Sequence, residues 1–488
     1  MRFLSKLILI VVLGTMSAPT LCAGRDAREA TVRIYATYSK FYYEEPWQLQ
    51  SQRKRSSSGC IISGNRILTS AHAVADQKFI QVRKAGDAKR YIAKLEAVAH
   101  ECDLAILRVN DDSFFAGIEP VEIGSLVYIG DKVVVYGFPT GGVELCITEG
   151  VVSRVEHREY THSRAYLLSC QIDAAINQGS SGGPVIKDGK LVGVAFQASS
   201  GENIGYMVPA PVIDHFLTDM KDGKYDGMPG LGISWQEMEN PDLRIMYNLA
   251  RDQTGILVNK IFPDSPAKDI LISGDIMLAI NGVKIADNGS IEFREGERTY
   301  FEYLVQEKYA NDLIRCDILR EGKLINVEIR LARPTSSLRL VPNEQYDVAP
   351  TYYIFGGLVF APLTVNYLKT WGQRWYHTAP KDLLNYYYYG SPAENQREVV
   401  VLIKVLADEI NVGYEGLENQ VISYANGRKV SRMKDLVKAL EEHKGRYHII
   451  IDEQAHKIVL DKKKVAENSQ RILEKFKIDS DRSQDLRS

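Results

Sequence analysis

Short apolar runs alternate with glycine and asparagine along the first part of the chain, from about Ala30 to Pro209. Such alternation is typical of short β-strands joined by tight turns. Strands repeated over this length predict a mainly β domain built as a double barrel, which we place at residues 30–222. A helix-like apolar run at 211–217 closes it. The segment 222–230, polar and rich in glycine, predicts a linker.

A further β-rich unit follows the linker, and we place it at residues 228–335. It opens on a glycine-containing loop at 230–233 and later has an apolar strand that ends in Asn281-Gly282, a strong hairpin turn. Together these features resemble a PDZ domain, whose loop amides capture a C-terminal carboxylate while the peptide adds as a β-strand. The alternative is a plain glycine-rich turn. The resemblance implies that three residues bind C-terminal peptides: Leu231, Gly232 and Ile233.

A weaker repeat of this pattern occupies residues 343–462. The stretch 355–358 resembles the carboxylate loop, and 421–427 resembles the later strand and its turn. An insertion that includes the tyrosine run 386–389 interrupts the copy. We therefore expect a degenerate PDZ domain that serves assembly or regulation more than peptide capture. The charged remainder, 463–488, predicts a surface helix followed by a disordered end.

The loop at residues 177–184, Asn-Gln-Gly-Ser-Ser-Gly-Gly-Pro, carries the strongest indication of chemistry. Glycines around a serine permit backbone angles that point several amide groups into one small space. A serine hydroxyl becomes a useful nucleophile when a base takes its proton and such amides await the oxyanion. Ser181 is the candidate nucleophile, and the candidate oxyanion donors are the amides of Gly179, Ser180 and Ser181. By itself, this loop is also compatible with a flexible turn.

Two upstream residues supply the base and the acid that Ser181 would need. His72 lies in a turn of small residues after an apolar strand, and Asp103 opens another apolar strand. A carboxylate at the boundary of a core requires a partner, and the second nitrogen of His72 would provide one. Each residue alone reads as structural. Their order along the chain, His72, Asp103, Ser181, is that of the chymotrypsin-type triad.

These patterns resemble the HtrA/Deg family of serine proteases, and most closely its plant-type branch. The resemblance covers nearly the whole chain after about Ala30. It implies a trypsin-like protease domain followed by two PDZ domains. Two residues depart from the usual family pattern beside the nucleophile: Gln178 and Ser180. The matching stretches are 58–62, 68–72, 103–107, 171–184 and 204–209, with 101–103, 202–206 and 235–244 as signs of the plant-type branch.

An ATP-independent endopeptidase that degrades unfolded or misfolded proteins is the activity that the resemblance implies. The sequence has no phosphate-binding loop, and we expect no cofactor and no metal. Substrate would lie along the strand that contains Val194, Ala195 and Phe196, with Ile176 shaping a pocket for small or medium apolar side chains. The family also implies a homotrimer or hexamer held by N-terminal aromatic residues, although strand core and loop packing explain them equally well: Tyr35, Tyr38, Phe41, Tyr42, Tyr43 and Trp47.

Net charge, the N-terminal segment and the cysteine count indicate which partners, location and thiol chemistry to expect. A net charge of −2 argues against nucleic acid as the main partner. Residues 1–23 read as a signal peptide, charged and then apolar, with cleavage near Ala23. This favours the periplasm, with the lumen of an organelle as the alternative. The odd number of cysteines after this segment fits neither a disulfide framework nor a zinc site, and we expect buried free thiols at Cys60 and Cys102.

Two other functions compete with proteolysis. The protein could be a chaperone or peptide-binding scaffold with an idle protease fold, but such a scaffold has no need of His72, Asp103 and Ser181 together. It could also be an esterase. The strand-rich pattern and the absence of a G-x-S-x-G elbow argue against the α/β-hydrolase form of that enzyme.

Overall fold

The computed structural model describes residues 23–198, 204–332 and 338–487 of the 488-residue chain. The predicted signal peptide lies outside the described residues except at its last position, Ala23. Within the described ranges, no helix is long and apolar enough to cross a lipid bilayer.

The first unit is a closed barrel of six antiparallel strands. Its strands are β1 (Thr31–Tyr38), β2 (Arg53–Ile62), β3 (Arg66–Thr69), β4 (Gln77–Lys84), β5 (Tyr91–Ala99) and β6 (Leu104–Val109), with helices α1 (Ala23–Ala30) and α2 (Ala71–Val74). The strands close in the order β1-β2-β3-β6-β5-β4. In β5 alternate residues such as Tyr91 and Ala93 are buried while those between them face outward, as a barrel wall requires.

A second closed barrel follows, and one continuous apolar core serves both. Its strands are β7 (Lys132–Gly137), β8 (Cys146–Glu159), β9 (Tyr166–Ile172), β10 (Pro184–Lys187), β11 (Lys190–Ala198) and β12 (Gly205–Pro209), followed by α3 (Ala210–Asp219). They close in the order β10-β11-β12-β9-β8-β7. The predicted double barrel is therefore confirmed. Cys60 and Cys102 are buried in the first barrel and unpaired.

The third unit is built around an antiparallel β-sheet. Its strands are β13 (Ile233–Glu237), β14 (Ile256–Ile261), β15 (Ile276–Ile280), β16 (Val283–Lys284), β17 (Ser290–Arg294), β18 (Glu297–Tyr300), β19 (Leu313–Arg320) and β20 (Lys323–Arg330), with helices α4 (Pro241–Met246) and α5 (Glu302–Gln306). The strands of the main sheet lie side by side in the order β13-β14-β15-β19-β20. The pair β17-β18 packs beside β8 of the second barrel. This places α5 close to β9 of the second barrel.

The fourth unit is a larger sheet, and the tyrosine-rich insertion forms helices beside it. Its strands are β21 (Tyr353–Phe355), β22 (Leu358–Pro362), β23 (Val400–Val405), β24 (Gln420–Ala425), β25 (Arg428–Lys429), β26 (Tyr447–Asp452) and β27 (Lys457–Asp461), and its helices are α6 (Val365–Leu368), α7 (Trp375–Thr378), α8 (Lys381–Tyr389), α9 (Met433–Glu441) and α10 (Lys462–Lys475). The main sheet has the order β21-β22-β23-β24-β26-β27.

The C-terminal segment corrects one prediction. Helix α10 buries Val465, Ile472 and Leu473 in the fourth unit. Beyond it, the amide of Ile354 donates to the carbonyl of Asp481 over 2.6 Å. The helix expected within 463–488 is present as α10, whereas the prediction of a disordered end is wrong, since Asp481 and Ser483 are hydrogen-bonded to the fourth unit. The apolar positions at helical spacing cover the fourth unit instead of facing solvent.

The N-terminal aromatic residues make contacts within the chain. Tyr43 and Trp47 pack against the fourth unit, where the Trp47 ring lies 5.9 Å from that of Tyr352. Tyr42 stays 45% exposed. Two of the residues expected at a trimer interface thus help to hold the fourth unit on the first barrel.

Candidate active site

Two hydrogen bonds join His72 and Asp103. His72 lies in α2, directly after β3, and Asp103 precedes β6, which pairs with β3. The Nδ1 atom of His72 is 2.7 Å from Oδ2 of Asp103, and the His72 amide donates to Oδ1 over 2.8 Å. Asp103 has φ of +55°, which turns its carboxylate under the helix. Two adjacent strands of the first barrel therefore fix both partners.

Burial is unequal across this pair. The Asp103 side chain is 1% exposed, whereas that of His72 is 32% exposed. Burial alone would raise the pKa of Asp103, but the charge and hydrogen bonds of His72 outweigh it and hold that pKa below its usual value. Asp103 is therefore a carboxylate at neutral pH. It keeps the proton of His72 on Nδ1 and leaves Nε2 as the basic atom.

Ser181 reaches the junction of the two barrels because the loop that carries it is built on glycine. Gly182 has φ of +82°, and a β-carbon there would lie 2.2 Å from both the Ser58 carbonyl oxygen and Oγ1 of Thr69. The carbonyl of Ser181 accepts from the Ser58 amide over 2.9 Å. The serine loop of the second barrel is thus hydrogen-bonded to the first barrel, which carries His72.

The amides beside Ser181 separate into free and occupied donors. Gly179 has φ of +100°, and among the described residues neither its amide nor that of Ser181 donates a hydrogen bond within the chain. The Ser180 amide donates to the carbonyl of Asn177 over 2.9 Å. The prediction that Ser180 is an oxyanion donor is therefore wrong, since its only backbone donor is used inside the loop. Gly179 and Ser181 are the two amides left for an oxyanion.

The hydroxyl of Ser58 in β2 supports this loop, and sequence reasoning assigned it no role. It accepts from the amide of Phe138 and donates to the carbonyl of Gly179, both over 2.8 Å. It thereby joins the first barrel to the end of β7 and to the oxyanion loop. Only the small residues within β2, Ser58 and Gly59, are a sequence sign that another segment approaches closely here.

Arg55 is the second residue that the sequence did not single out. It belongs to the basic run at 53–55, which lies at the start of β2. The Arg55 guanidinium donates to the carbonyls of His72 and Ala75 and lies 3.7 Å from the ring centre of Tyr38. It therefore holds the end of the turn that carries His72. Nothing in the local sequence indicates this contact.

The hydroxyl of Ser181 is not yet engaged with the base. Among the described residues, no hydrogen bond joins it to His72. Catalytic hydrogen bonds are often long before substrate binds and tighten in the Michaelis complex. The arrangement supplies an ionised acid, an oriented base and two free amides, with the nucleophile beside them. This is the set of groups that acyl transfer requires.

Two of the predicted substrate residues are placed where no substrate can reach them. Val194 and Ala195 are fully buried in β11. Val194 pairs with strands on both sides, and the amide and carbonyl of Ala195 are bonded to Gly183 and Gly182 at 2.9 and 2.7 Å. The prediction that these two residues bind substrate is wrong, because strand addition needs unpaired backbone groups.

Phe196 and Ile176 differ from them in position. The pairing of β11 with β12 shifts register around Phe196, so that this residue lies at a β-bulge. Its ring stacks on Tyr160 with centres 4.6 Å apart. Ile176 packs on Gly205, where a β-carbon would lie 2.6 Å from its Cδ1 atom. Bulges often re-aim backbone groups beside active sites. The pocket role of both residues stays a prediction, and the loop at 199–203 lies outside the described residues.

The predicted peptide site of the third unit contains a segment of the chain itself. Leu231, Gly232 and Ile233 line a cavity of about 430 Å³ together with α5. Gly232 has φ of +68°, and a β-carbon there would lie 2.9 Å from Cδ1 of Leu338. Leu338 and Leu340 are both buried. The groove is therefore formed, and side chains that lead into the fourth unit already fill part of it.

Two family models match the chain. The trypsin-like peptidase domain matches residues 57–194, which include His72, Asp103 and Ser181. The PDZ domain matches residues 341–485. The second match extends beyond the limit of 462 predicted for this unit and includes α10.

Relatives from Arabidopsis thaliana align over most of the chain. The putative protease Do-like 3, mitochondrial, is 39% identical over 464 residues, which are 94% of this chain and 80% of the relative. Protease Do-like 2, chloroplastic, is 36% identical over 94% of this chain and 75% of the relative. Among solved structures, the HtrA-type protease AlgW with tripeptide superposes with a TM-score of 0.50 and 25% identity, over 64% of this chain and 96% of that chain.

Proposed function

Since the chain belongs to the HtrA/Deg family of serine proteases, we propose that it hydrolyses peptide bonds of unfolded or misfolded proteins through Ser181. Nε2 of His72 takes the proton of the Ser181 hydroxyl as the oxygen attacks the scissile carbonyl. Asp103 stabilises the imidazolium that forms, and the amides of Gly179 and Ser181 stabilise the oxyanion. His72 then protonates the leaving amine, and water hydrolyses the acyl-enzyme by the same steps. The 2.7 Å contact between His72 and buried Asp103 carries this proposal.

Substrates must present extended segments without help, because the sequence holds no nucleotide-binding loop that would power unfolding. A segment of that kind would enter beside the bulge at Phe196. The buried walls formed there by Phe196 and Ile176 support a preference for small or medium apolar side chains. C-terminal peptides would bind at Gly232 in the third unit, where they compete with Leu338.

The direct test compares degradation of reduced casein by the full-length protein and by Ser181→Ala. Loss of the triad serine lowers the rate by on the order of 10⁴ to 10⁶. Ser180→Ala is a matched control, because it alters the adjacent serine but keeps the amide bonded to Asn177. Equal degradation by wild type and Ser181→Ala contradicts the assignment. Casein binding without degradation by any of the three proteins favours the scaffold.

Location and assembly complete the proposal. The mitochondrial and chloroplastic names of the relatives favour the organellar alternative over the periplasm for this chain. We keep the homotrimer or hexamer as the assembly. Tyr42 is the exposed aromatic residue that remains for such a contact, because Tyr43 and Trp47 pack within the chain. A monomer in light scattering at micromolar concentration would contradict this part.

A further inference from the structure

A second histidine lies beside the catalytic one and has no part in the triad. His162 is in the turn between β8 and β9, and its ring centre is 6.0 Å from that of His72. Its Nε2 atom is 2.9 Å from Nδ1 of His100, and Nε2 of His100 is 2.8 Å from Oδ2 of Asp347. Asp347 belongs to the segment that leads into the fourth unit. A line of imidazoles therefore runs from the triad to another domain.

The segment at residues 343–347, here called the strap, lies directly on this line. The Tyr346 ring stacks on His162 with centres 4.0 Å apart and planes 23° apart. Its hydroxyl donates to the His162 carbonyl over 3.0 Å, and Asn343 donates to the carbonyl of Ser163 over 2.9 Å. Aromatic contacts at such distances stabilise by roughly 0.5 to 1.5 kcal/mol beyond burial. The strap thus fixes the turn that carries His162.

The other end of the strap holds the turn that carries His72. The Asp76 amide donates to Oδ1 of Asp347 over 2.6 Å, and the Asp347 amide donates to Oδ1 of Asp76 over 3.0 Å. Asp76 lies shortly after α2, which carries His72. Glu344 forms ion pairs with Lys40 of the first barrel and Lys369 of the fourth unit. The strap therefore contacts the turn that carries His162 and the turn that carries His72, and it joins both turns to the fourth unit.

Charge along this line is arranged so that His162 adds no cation beside the His72 ring. Burial, aided by the neighbouring His100 and His72 and opposed by Asp103 and Glu344, lowers the pKa of His162 to about 4. Burial would raise the pKa of Asp347, but the hydrogen bond and charge of His100 hold it low. With Asp347 ionised, His100 donates from Nε2 and accepts on Nδ1 from the neutral His162. The imidazolium that forms on His72 then meets no like charge beside it.

We propose that the strap of the second PDZ-like domain completes the catalytic centre, with Tyr346 and Asp347 acting through His162 and His100 as positioning residues for His72. This inference rests on the proposed protease function. Release of the strap loosens α2 and exposes His162, so that acylation of Ser181 slows. Displacements near 1 Å in a catalytic group cost up to about 100-fold in rate. Docking of the fourth unit thereby controls the chemistry.

The test uses full-length protein with Tyr346→Ala and, as an isosteric second variant, Asp347→Asn. Tyr447→Ala is the matched control, because it removes a tyrosine that is 44% exposed on the same domain. The readouts are the rate of Ser181 modification by a fluorophosphonate, and kcat and KM for a short peptide amide. Tyr346→Ala and Asp347→Asn are expected to lower the modification rate and kcat about tenfold or more with KM little changed. Tyr447→Ala should match wild type.

A pH profile separates positioning from a loss of stability. In Tyr346→Ala, His162 is exposed and its pKa returns towards the ordinary value, so that it gains a charge beside His72 in mild acid. The acid limb of kcat/KM then moves to lower pH, because a positive charge at His162 disfavours a second proton on the adjacent imidazole. Tyr346→Phe, which keeps the stacked ring, should hold the wild-type limb. Adding His162→Gln to Tyr346→Ala should restore the limb, since no titrating group remains at that position.

Two results overturn the inference. One is wild-type modification and an unmoved acid limb in both Tyr346→Ala and Asp347→Asn. The other is a fall in kcat with an acid limb that does not move, which marks a structural effect alone. Failure of the protease assignment looks different, because wild type and Ser181→Ala would then react equally with the fluorophosphonate. In that case the inference falls with the assignment.

Discussion

Single residues decide whether the serine loop adopts its shape. Gly182 passes so close to the Ser58 carbonyl and to Thr69 that no side chain fits, and Ser58 in turn holds the Gly179 carbonyl. The free amides of Gly179 and Ser181 are a result of these contacts. The proposed oxyanion site is therefore formed by backbone amides. Its shape depends on the absence of a side chain at Gly182 and on the buried hydroxyl of Ser58.

Gly182→Ala should lower kcat/KM by about 100-fold or more, because its β-carbon would meet two oxygens at 2.2 Å and the loop must move. Gly117→Ala is the matched control. It has a similar φ of +75°, but no heavy atom lies within 4 Å of the added carbon. Amidase assays on both variants check this. Similar losses in the two would show that strain from φ, and not the clash, limits activity.

Ser58→Ala should destabilise the protease domain by about 1 to 3 kcal/mol, since the Phe138 amide and Gly179 carbonyl lose a buried partner. Its neighbour Ser57 is also buried, but its hydroxyl has no hydrogen-bond partner in the described part of the chain. Ser57→Ala should therefore cost less than Ser58→Ala. Urea unfolding of both variants measures the difference, and equal losses would contradict the bridging role.

Elements of secondary structure set where these residues meet. Adjacent strands β3 and β6 position His72 and Asp103, and the loop before β10 brings the proposed nucleophile, Ser181, from the other barrel. In the third unit, the loop before β13 and helix α5 form a groove into which the chain places Leu338. The groove of the third unit is therefore fully formed, although a side chain of the same protein fills part of it.

Leu338→Ala should raise the affinity of the third unit for a peptide with an apolar C-terminus by about tenfold, which corresponds to roughly 1.4 kcal/mol. The smaller side chain withdraws from Gly232 and removes a competitor for the groove. Leu324→Ala, at a leucine that is 64% exposed on β20, should leave the affinity unchanged. Calorimetric titration with one peptide decides between them. An affinity unaffected by Leu338→Ala would mean that peptides bind elsewhere.

Local sequence allowed prediction of the double barrel and of the contact between His72 and Asp103, but not of most contacts between segments far apart in the chain. His72, Asp103 and Ser181 each lie in a recognisable local context, and glycine and strand alternation predict the barrels. The contacts of Arg55 could not be predicted, because its hydrogen-bond acceptors are the backbone carbonyls of His72 and Ala75, which every residue has. Val194 was predicted to bind substrate because the sequence does not show that β11 pairs with another strand on each side.

The whole molecule is a set of units whose interfaces contain buried polar groups. His157 of β8 lies between Thr299 and Gln306 of the third unit, 2.8 Å from each. The strap joins the fourth unit to both turns beside the catalytic histidine. Tyr43 and Trp47 add a third contact. Movement of the third or fourth unit would therefore directly alter contacts with the protease domain.

The His157 interface should make stability depend on pH. Burial lowers the pKa of His157 to about 4, below the ordinary value of 6.5. Because the unfolded chain binds this proton more readily, its contribution is complete above pH 6.5 and declines as pH falls towards 4. We expect a loss of about 2 kcal/mol between pH 7 and pH 5. His157→Gln should remove it in urea unfolding, and an unchanged pH dependence would contradict the assignment.

The central claim is that Ser181 is a nucleophile activated by His72, and the site of covalent modification tests it most directly. A fluorophosphonate is reacted with wild type and with His72→Ala, and the modified residue is mapped by mass spectrometry. We expect modification of wild type at Ser181, and a rate at least about 1000-fold lower in His72→Ala. Modification at another residue, or an equal rate in both proteins, would contradict it.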